Sequence, residues 1–596
     1  MRFLRIGLAV LAVGVLTFGY NLRAFHNLST QEAMDAAQLG RNLAEGKGFS
    51  TLFIRPFSIF LVKKHALETQ GMPRVGQVAD LAQLRGMHPD ISNAPLYPMV
   101  LALLMKVAPF RYEIMFKGAF WTDNGRFWRY EPDFLIALFN QLLFFVILIL
   151  VFFLARRLFD AWVAWLSGGL LLFSELMWRF TVSGLSTMLL MLIFVGLAWS
   201  LVLLDEQART PKWGPSASLG LAGLAGLMVG LGGLTRYSFA WLIIPVVVFV
   251  VLFGGQRRAV LALMVLGVYL ALMTPWVVRN YNVSGTPFGT ATYTVVEDTM
   301  MFPDNRLQRS LEPDFSRLYV RPYWLKLNTN LQKIVGNDLP KLGGTWVTAF
   351  FLAGLMLGFR NPAASRLRYF IMGCLVVFVL AQALGRTELS DDSVDINSEN
   401  LLVLLTPLVL VYGVSLFFTL LDHIPVPFPQ LRLVIIGLFS LVACLPMLLV
   451  FLPPRPVPVA YPPYYPPAIQ NISSWLKEKE MAMSDIPWAV AWYGRRQCVW
   501  LTLKCMRDKD KITHEDFFAI NDYQKPINLL YLTPQTMDSR FLTQWVRAGE
   551  QSWGSFILES LVKKKVPDYF PLSETQVGWM PEQLVLTDWQ RWRRTP

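Results

Sequence analysis

Charge is scarce in this chain: 16% of its 596 residues are Asp, Glu, Lys or Arg, against 54% that are hydrophobic. Its mean hydropathy is +0.42. A soluble protein of this size cannot hide so much apolar surface, so the composition excludes that class and implies a multi-span integral membrane protein. Cysteine is scarcer still, at four residues. Cys374 and Cys444 sit in apolar runs and read as small core residues, whereas Cys498 and Cys505 fall in a later, more polar part. That pair has no CxxC spacing, which leaves a bridge and two separate thiols equally open and gives no support to a metal or redox centre. GxxxxGK(S/T), HExxH and a convincing GxSxG are all missing, so nucleotide hydrolysis and zinc proteolysis find no support. There is no internal repeat.

What is present is a series of apolar runs near the ~20 residues that a bilayer demands. The first, Phe3 to Tyr20, follows Arg2 and Arg5 but lacks a small-x-small cleavage site, so it reads as an uncleaved first span with its N-terminus in the cytoplasm. Later runs cover 132–154, 159–177, 184–204, 216–235, 238–254, 258–276, 344–359, 368–385, 400–420 and 431–453. Arg156-Arg157, Arg209 with Lys212, Arg257-Arg258, and Arg360, Arg366 and Arg368 fall on alternate connections, as the positive-inside bias requires. The expectation is therefore a polytopic α-helical protein of about eleven spans, with its C-terminus outside the cytoplasm. The net charge of +13 is partly this bias and names no partner; no nucleic acid is implied.

Two divisions of the chain follow. Residues 1–453 form a membrane module whose first extracytoplasmic loop is 21–131, and residues 277–343 form a second such loop. Residues 454–596 begin with the stiff, donor-poor "PPRPVPVAYPPYYPP" and continue as a small extracytoplasmic α/β domain. Within it "PPAIQNISSWLKEKE" and "GSFILESLVKK" read as helices and "INLLYLT" as a strand. "WAVAWYGRRQCVWLTL" reads as two strands around Gly494.

Arg236, Arg279 and Arg386 end spans on the side where basic residues are less expected. Any one of them is explained by snorkelling, but three at the same level suit an anionic headgroup, because guanidinium forks match phosphate oxygens. Near the same level lies "TQEAMDAAQLGRNLAEGKGFST", Thr30 to Thr51. Thr30 or Ser29 caps a helix with Glu32 in its first turn, Asp35 lies one turn on, and Gly46 or Gly48 ends it. An interfacial helix alone explains acids at that end. A carboxylate there can also accept a proton from an alcohol while arginines hold a lipid phosphate.

"EAMDAAQLGRNLAEGKGF", "NAPLYPMVLALLMKV" (Asn93–Val107), "LARRLF" (Leu154–Phe159) and "TPWVVRNYNVSGTPF" (Thr274–Phe288) together resemble the GT-C membrane glycosyltransferases. Their nearest counterparts are the bacterial relatives of protein O-mannosyltransferases and of the lipid A aminoarabinose transferase. The resemblance covers residues 1 to about 420. It implies a catalytic acid in the first external loop, Glu32 or Asp35, and a polyprenyl-phosphate sugar donor. It also implies that Arg236, Arg279 and Arg386 bind the donor phosphate, and that Tyr97, His88 and Tyr237 contact acceptor or sugar. The acceptor is a glycan, lipid or protein hydroxyl, the reaction inverts, and the setting is a bacterial inner membrane. No cofactor is chemically required, and "APLYP" starts a surface helix rather than a span.

Two departures stand out. The family's Asp-Glu pair is replaced by Glu32-Ala33, with Asp35 at a shifted position, and its Arg-Tyr pair near the tenth span is replaced by "SENLLVLLTP", where Arg386 substitutes. "ELSDDSVDINSE", Glu388 to Glu399, carries five acids in twelve positions. Asp391, Asp392 and Asp395 match no rigid metal loop, so a solvated acidic segment is expected and a divalent cation lacks support. The rival classes are a flippase for a lipid-linked saccharide, for which Glu175 is the one near-membrane acid, and an inactive glycan-binding relative. With the chemistry placed before residue 420, the C-terminal domain is expected to position the acceptor, and Trp589 and Trp592 among arginines suit a headgroup or sugar face.

Overall fold

The computed structural model describes residues 2–71, 80–114, 129–316, 319–425, 428–453, 463–505, 516–537, 551–562, 566–575 and 583–593. Most of the Pro-rich stretch after Pro453 lies outside the described residues. The chain divides into two compact units, each assembled from three separate segments. The first takes Met1–Asn27, Asp133–Pro275 and Trp324–Pro458; the second takes Leu28–Pro132, Trp276–Tyr323 and Val459–Pro596.

The first unit is helical. Among the described residues seven helices are long and apolar enough to cross a membrane: Glu131–Leu158, Thr187–Arg209, Ser216–Thr235, Gly255–Ser284, Pro362–Gly385, Leu402–His423 and Gln430–Val450. The expected total of eleven is not reached by this measure, although each expected run is helical. The run 159–177 falls on a pair, Ala161–Leu172 and Glu175–Val182, bent by 51°. At the bend Ser174 turns extended (ψ 109°), and the Trp178 indole donates to the freed Leu172 carbonyl at 2.6 Å. The runs 238–254 and 344–359 fall on the shorter helical stretches Tyr237–Phe253 and Trp346–Met356.

Burial sorts these helices. Leu402–His423 is 94% buried over its most apolar window and Gln430–Val450 only 6%, so the first is a packed centre and the second a peripheral helix. Gly413 allows the central helix to approach Trp346–Met356, since a Cβ there would stand 2.6 Å from the Val347 carbonyl oxygen. Three of the basic residues used to orient the spans, Arg157, Arg209 and Arg366, are paired. Arg157 grips Glu206 through two nitrogens, and Asp205 lies between Arg209 and Arg366 at 2.9 and 2.7 Å.

The second unit contains a six-stranded sheet. Its strands are β2 (Phe53–Ile54), β4 (Met481–Ser484), β5 (Gln497–Trp500), β6 (Ile527–Leu532), β7 (Glu574–Thr575) and β8 (Leu584–Thr587). They run in the order β2-β5-β4-β6-β8-β7, parallel from β2 to β6 and antiparallel thereafter. A strand of the segment 21–131 thus forms one edge of the C-terminal sheet, and the Cys498 amide donates to the Leu52 carbonyl at 2.8 Å. A separate two-stranded pairing joins β1 (Ser50–Thr51) to β3 (His88–Pro89).

"WAVAWYGRRQCVWLTL" is not two strands. Pro487–Tyr493 is a helix, and only Gln497–Trp500 is a strand. An apolar run without alternation fits either state, and Pro487, with φ preset and no N–H to lose, favours the helix start. The other three assignments in this region hold, as Pro466–Ser474, β6 and Gln551–Val562. Cys498 and Cys505 are both buried free thiols. Trp589 is 40% exposed, while Trp592 packs on Trp475 and Arg591 is buried between Glu480 and Asp588.

Candidate active site

The site is built around the helix Gln31–Ala44 in the second unit. Thr30 precedes it in extended conformation (φ −109°, ψ 144°), but its side chain makes no cap hydrogen bond, unlike the expected Thr cap. Glu32 lies in the first turn, where the helix dipole favours an acid. The helix ends at Glu45, and Gly46 and Gly48 take positive φ just beyond it. One face packs closely on the short apolar helix Leu96–Val107: a Cβ on Gly40 would lie 2.9 Å from Leu101 Cβ. "APLYP" does start a short helix rather than a full span.

Glu32 and Asp35, one turn apart, have different surroundings. Glu32 is half-buried. Asp35 is wholly buried and accepts three hydrogen bonds: Arg55 Nη2 (2.7 Å) and Asn93 Nδ2 (2.9 Å) reach Oδ2, and Gln38 Nε2 (3.0 Å) reaches Oδ1. Arg55 lies over the Phe53 ring at 4.1 Å. A second buried carboxylate, Asp90, accepts from the Asn93 amide N–H (2.9 Å) and side chain (3.3 Å), so Asn93 Nδ2 bridges both acids. Burial raises the Asp90 pKa, and the neighbouring Asp35 charge raises it further, against the opposing pull of Arg55, the Asn93 N–H and Arg279.

Sequence reasoning did not single out Arg55, Asp90 or Asn93. The available signal was the Asp-x-x-Asn of "HPDISNAP" (His88–Pro95), a pattern in which an Asx side chain caps its own turn. Nothing local in the sequence points to Arg55.

The other expected site residues are divided between the two units. Arg279 donates to the Asp90 carbonyl, to Asn280 Oδ1 (2.9 Å) and to the Phe49 carbonyl (3.3 Å), and its guanidinium lies 5.0 Å from the Trp276 ring. It therefore braces the 90–93 turn. Arg236 and Arg386 belong to the first unit. Arg236 Nη2 reaches Ser186 Oγ at 3.3 Å, and Arg386 is buried beside Asp338 (3.3 Å) and Asp391 (3.5 Å). Tyr237 is half-buried in the turn after Arg236, and Tyr97 is 2% exposed.

His88 is fully buried. Its Nδ1 contacts the Ala82 carbonyl and its Nε2 contacts Ser58 Oγ, both at 2.9 Å. Burial pushes its pKa down to about 4, so the ring is neutral at physiological pH and donates from Nδ1. With the proton on Nδ1, Nε2 can only accept, so the single Ser58 hydroxyl proton is shared between Nε2 and the Arg55 carbonyl at 2.7 Å. Both ring nitrogens are thereby engaged within the loop.

The acidic segment 388–399 is not simply solvated. Asp391 pairs with Lys333 and Arg386, and Asp395 with Arg179 and Lys341. Glu175 pairs with Arg179 at 3.6 Å. Among the described residues, no three His, Cys, Asp or Glu side chains cluster so as to hold a metal.

The fold as a whole resembles those of solved proteins. The Archaeoglobus fulgidus oligosaccharyltransferase, tethered to an acceptor peptide with the NVT sequon, superposes with a TM-score of 0.53 at 10% identity, covering 91% of this chain and 71% of that one. The same enzyme in complex with Zn and sulfate gives 0.51 at 10% identity, with 90% and 69% covered. The chain has the GT-C fold. ArnT from Cupriavidus metallidurans in the apo state is also similar, at 13% identity with 98% of both chains covered and a TM-score of 0.49. In sequence, the family model for dolichyl-phosphate-mannose-protein mannosyltransferase matches residues 130–278. No curated protein matches. On this GT-C chain the matched stretch includes Arg236 and stops one residue before Arg279; Glu32, Asp35 and Asp90 lie outside it.

Proposed function

We propose that this protein is an integral membrane glycosyltransferase that moves a sugar from a polyprenyl-phosphate-linked donor to an acceptor hydroxyl on the extracytoplasmic face, with inversion. The GT-C fold and the partial match to dolichyl-phosphate-dependent mannosyltransferases support the reaction class. One solved structure of the Archaeoglobus oligosaccharyltransferase, AglB, at a TM-score of 0.51, holds a dolichol-phosphate, which supports a lipid phosphate as leaving group.

The observation that carries the assignment of roles is the contrast between Glu32 and Asp35. A general base needs a lone pair that an incoming hydroxyl can reach. Asp35 is wholly buried and a hydroxyl cannot approach it, whereas Glu32, one turn nearer the helix start, is only half-buried. Glu32 therefore takes the acceptor proton, the freed oxygen attacks the anomeric carbon, and the polyprenyl phosphate leaves. Asp35, Asp90 and Asn93 hold the helix against the 90–93 turn. Charge grows on the departing phosphate, so guanidinium groups aimed at it stabilise the transition state more than the ground state; Arg236 and Arg386 are assigned there, with Arg279 bracing the turn. Tyr237 is assigned to the sugar or acceptor, and the buried His88 and Tyr97 shape the segment that carries Asp90 and Asn93.

The test uses purified full-length protein and a pool of polyprenyl-linked sugars, with the mass of the transferred or released sugar as readout. Glu32→Gln should lower turnover by ~10²-fold or more with donor binding intact. Asp35→Asn should lower the yield of folded protein more than its turnover. A Glu32→Gln enzyme of near-native rate would remove this carboxylate from the chemistry.

A further inference from the structure

In the first unit, two carboxylates on one short segment neutralise four cations drawn from elsewhere. The segment follows the helix Pro362–Gly385 and is closed on itself, because Glu399 accepts from the Thr387 amide and hydroxyl and from Ser390 Oγ. From it Asp391 reaches Lys333 Nζ (3.1 Å) and Arg386 Nη2 (3.5 Å). Asp395 reaches Lys341 Nζ (2.7 Å) and Arg179 Nη1 (3.0 Å). The four cations belong to separate elements: Arg179 to Glu175–Val182, Lys333 to Val320–Lys333, Lys341 to Leu339–Lys341, and Arg386 to the end of Pro362–Gly385.

Exposure and hydrogen bonding distinguish the permanent from the replaceable partners. Arg386 and Asp338 are almost fully buried, and Asp338 is further held by Gln382 at 2.9 Å. Asp391 is 51% exposed and Asp395 31%, so their ion pairs are weak and open to competition. Arg386, though buried, has a buried Nε–H with no hydrogen-bond partner, a donor that these carboxylates leave unused. With the two segment acids withdrawn, the ion pairs left to these four cations among the described residues are Arg179 with Glu175 and Arg386 with Asp338, an excess of two positive charges.

We propose that Asp391 and Asp395 are an internal anion plug on a phosphate cradle formed by Arg179, Lys333, Lys341 and Arg386, and that a phosphate ester displaces them on binding. A phosphate monoester is the fitting ligand: it carries close to two negative charges at neutral pH and has oxygens for several donors at once, which a single carboxylate lacks. This rests on the donor reading above and adds to it that the departing polyprenyl phosphate, a monoester, binds here more tightly than the donor, a diester with one charge.

The experiment measures binding of a short-chain polyprenyl phosphate, and in a second arm inorganic phosphate, to the purified full-length protein and to the Asp391→Asn/Asp395→Asn variant. The variant should bind the polyprenyl phosphate about tenfold more tightly. In the unmodified protein, saturation with polyprenyl phosphate should speed hydrogen exchange in 387–399, a readout that does not depend on the variant folding. Equal or weaker binding by a folded variant, or unchanged exchange at saturation, overturns the plug. An equal gain for inorganic phosphate supports the cradle with free phosphate as its ligand. Tightened binding in a protein that transfers no sugar upholds the cradle and sinks the glycosyltransferase reading; sugar transfer with unaltered binding and exchange does the reverse.

Discussion

The two units handle buried charge in different ways. In the first unit charges meet opposite charges: Asp205 is held by Arg209 and Arg366, and Asp338 by Arg386. In the second unit Arg55 and Arg591 likewise meet carboxylates, but a further set of buried cations meets backbone carbonyls instead. Arg41 donates to the carbonyls of Ala491 and Trp492, both at 2.7 Å, Arg309 to those of Leu501 and Thr502, and Lys525 to that of Leu84. Ala491 and Trp492 lie in the last turn of a helix, where unpaired carbonyls and the dipole favour a cation without any carboxylate. Each such contact joins segments hundreds of residues apart, such as 41 to 492. Ion pairs between neighbouring spans stitch elements that apolar packing already holds, whereas the carbonyl-bound cations of the second unit join the β2–β5 pairing in linking its three chain segments.

That difference can be broken most severely by truncation. A chain stopped near Pro453 loses β5, the partner of β2, and both carbonyls that hold Arg41. The first loop should then be cut rapidly by protease and all donor hydrolysis should vanish, contrary to the sequence-based expectation that the C-terminal domain only positions the acceptor. A protease-resistant, hydrolytically active truncation would show the loop to be self-sufficient.

Arg41→Met is the next largest break. It leaves two buried carbonyls unpaired and strips the cation from between Tyr112 and Trp492, which should destabilise the protein by roughly 3 kcal/mol or more. Thermal melting in detergent would register this as a fall in midpoint; an unchanged midpoint would deny the carbonyl contacts their role.

His88 sharpens the comparison through pH. Its folded pKa of about 4 lies below the ordinary 6.5, so between those values the unfolded chain binds a proton that the folded chain refuses. The stability it contributes is complete above about pH 6.5 and is lost as pH falls toward 4, on the order of 3 kcal/mol. Asp485, raised to about 6 by burial, and Asp90 act with the opposite sign, because the folded chain there takes up protons first. The measurement is therefore the difference between wild type and His88→Asn in midpoint against pH: the variant should lose less on acidification, and parallel curves would contradict the buried neutral ring. The smallest effect is expected at Arg157→Gln in the first unit, whose pair with Glu206 is partly exposed and should be worth about 1 kcal/mol or less.

The sequence made the candidate site only partly legible. The helix carrying Glu32 and Asp35 could be read from its acids and glycines, because those signals act within a turn or two of the chain. Asp90 and Asn93 reach Asp35 only because β1 pairs with β3, bringing Thr51 opposite His88. Arg55 follows the same logic, twenty residues from the carboxylate it binds. The helix Pro487–Tyr493 was misread as strand because its apolar residues face neighbours all round, which removes the periodicity that distinguishes the two states.

Composition alone determined that the protein lies in a membrane, roughly where its apolar runs fall and that they are helical, since solvation of a backbone in hydrocarbon leaves few alternatives. Only the tertiary structure decided that Asp35 is wholly buried and Glu32 half-buried, that a strand of the first loop completes the C-terminal sheet, and that Asp391 and Asp395 sit on four cations. The reason is one of range: hydropathy and helix propensity are sums over neighbours in sequence, while hydrogen bonds and ion pairs depend on side chains meeting in space, and in this chain the decisive partners are tens to hundreds of residues apart.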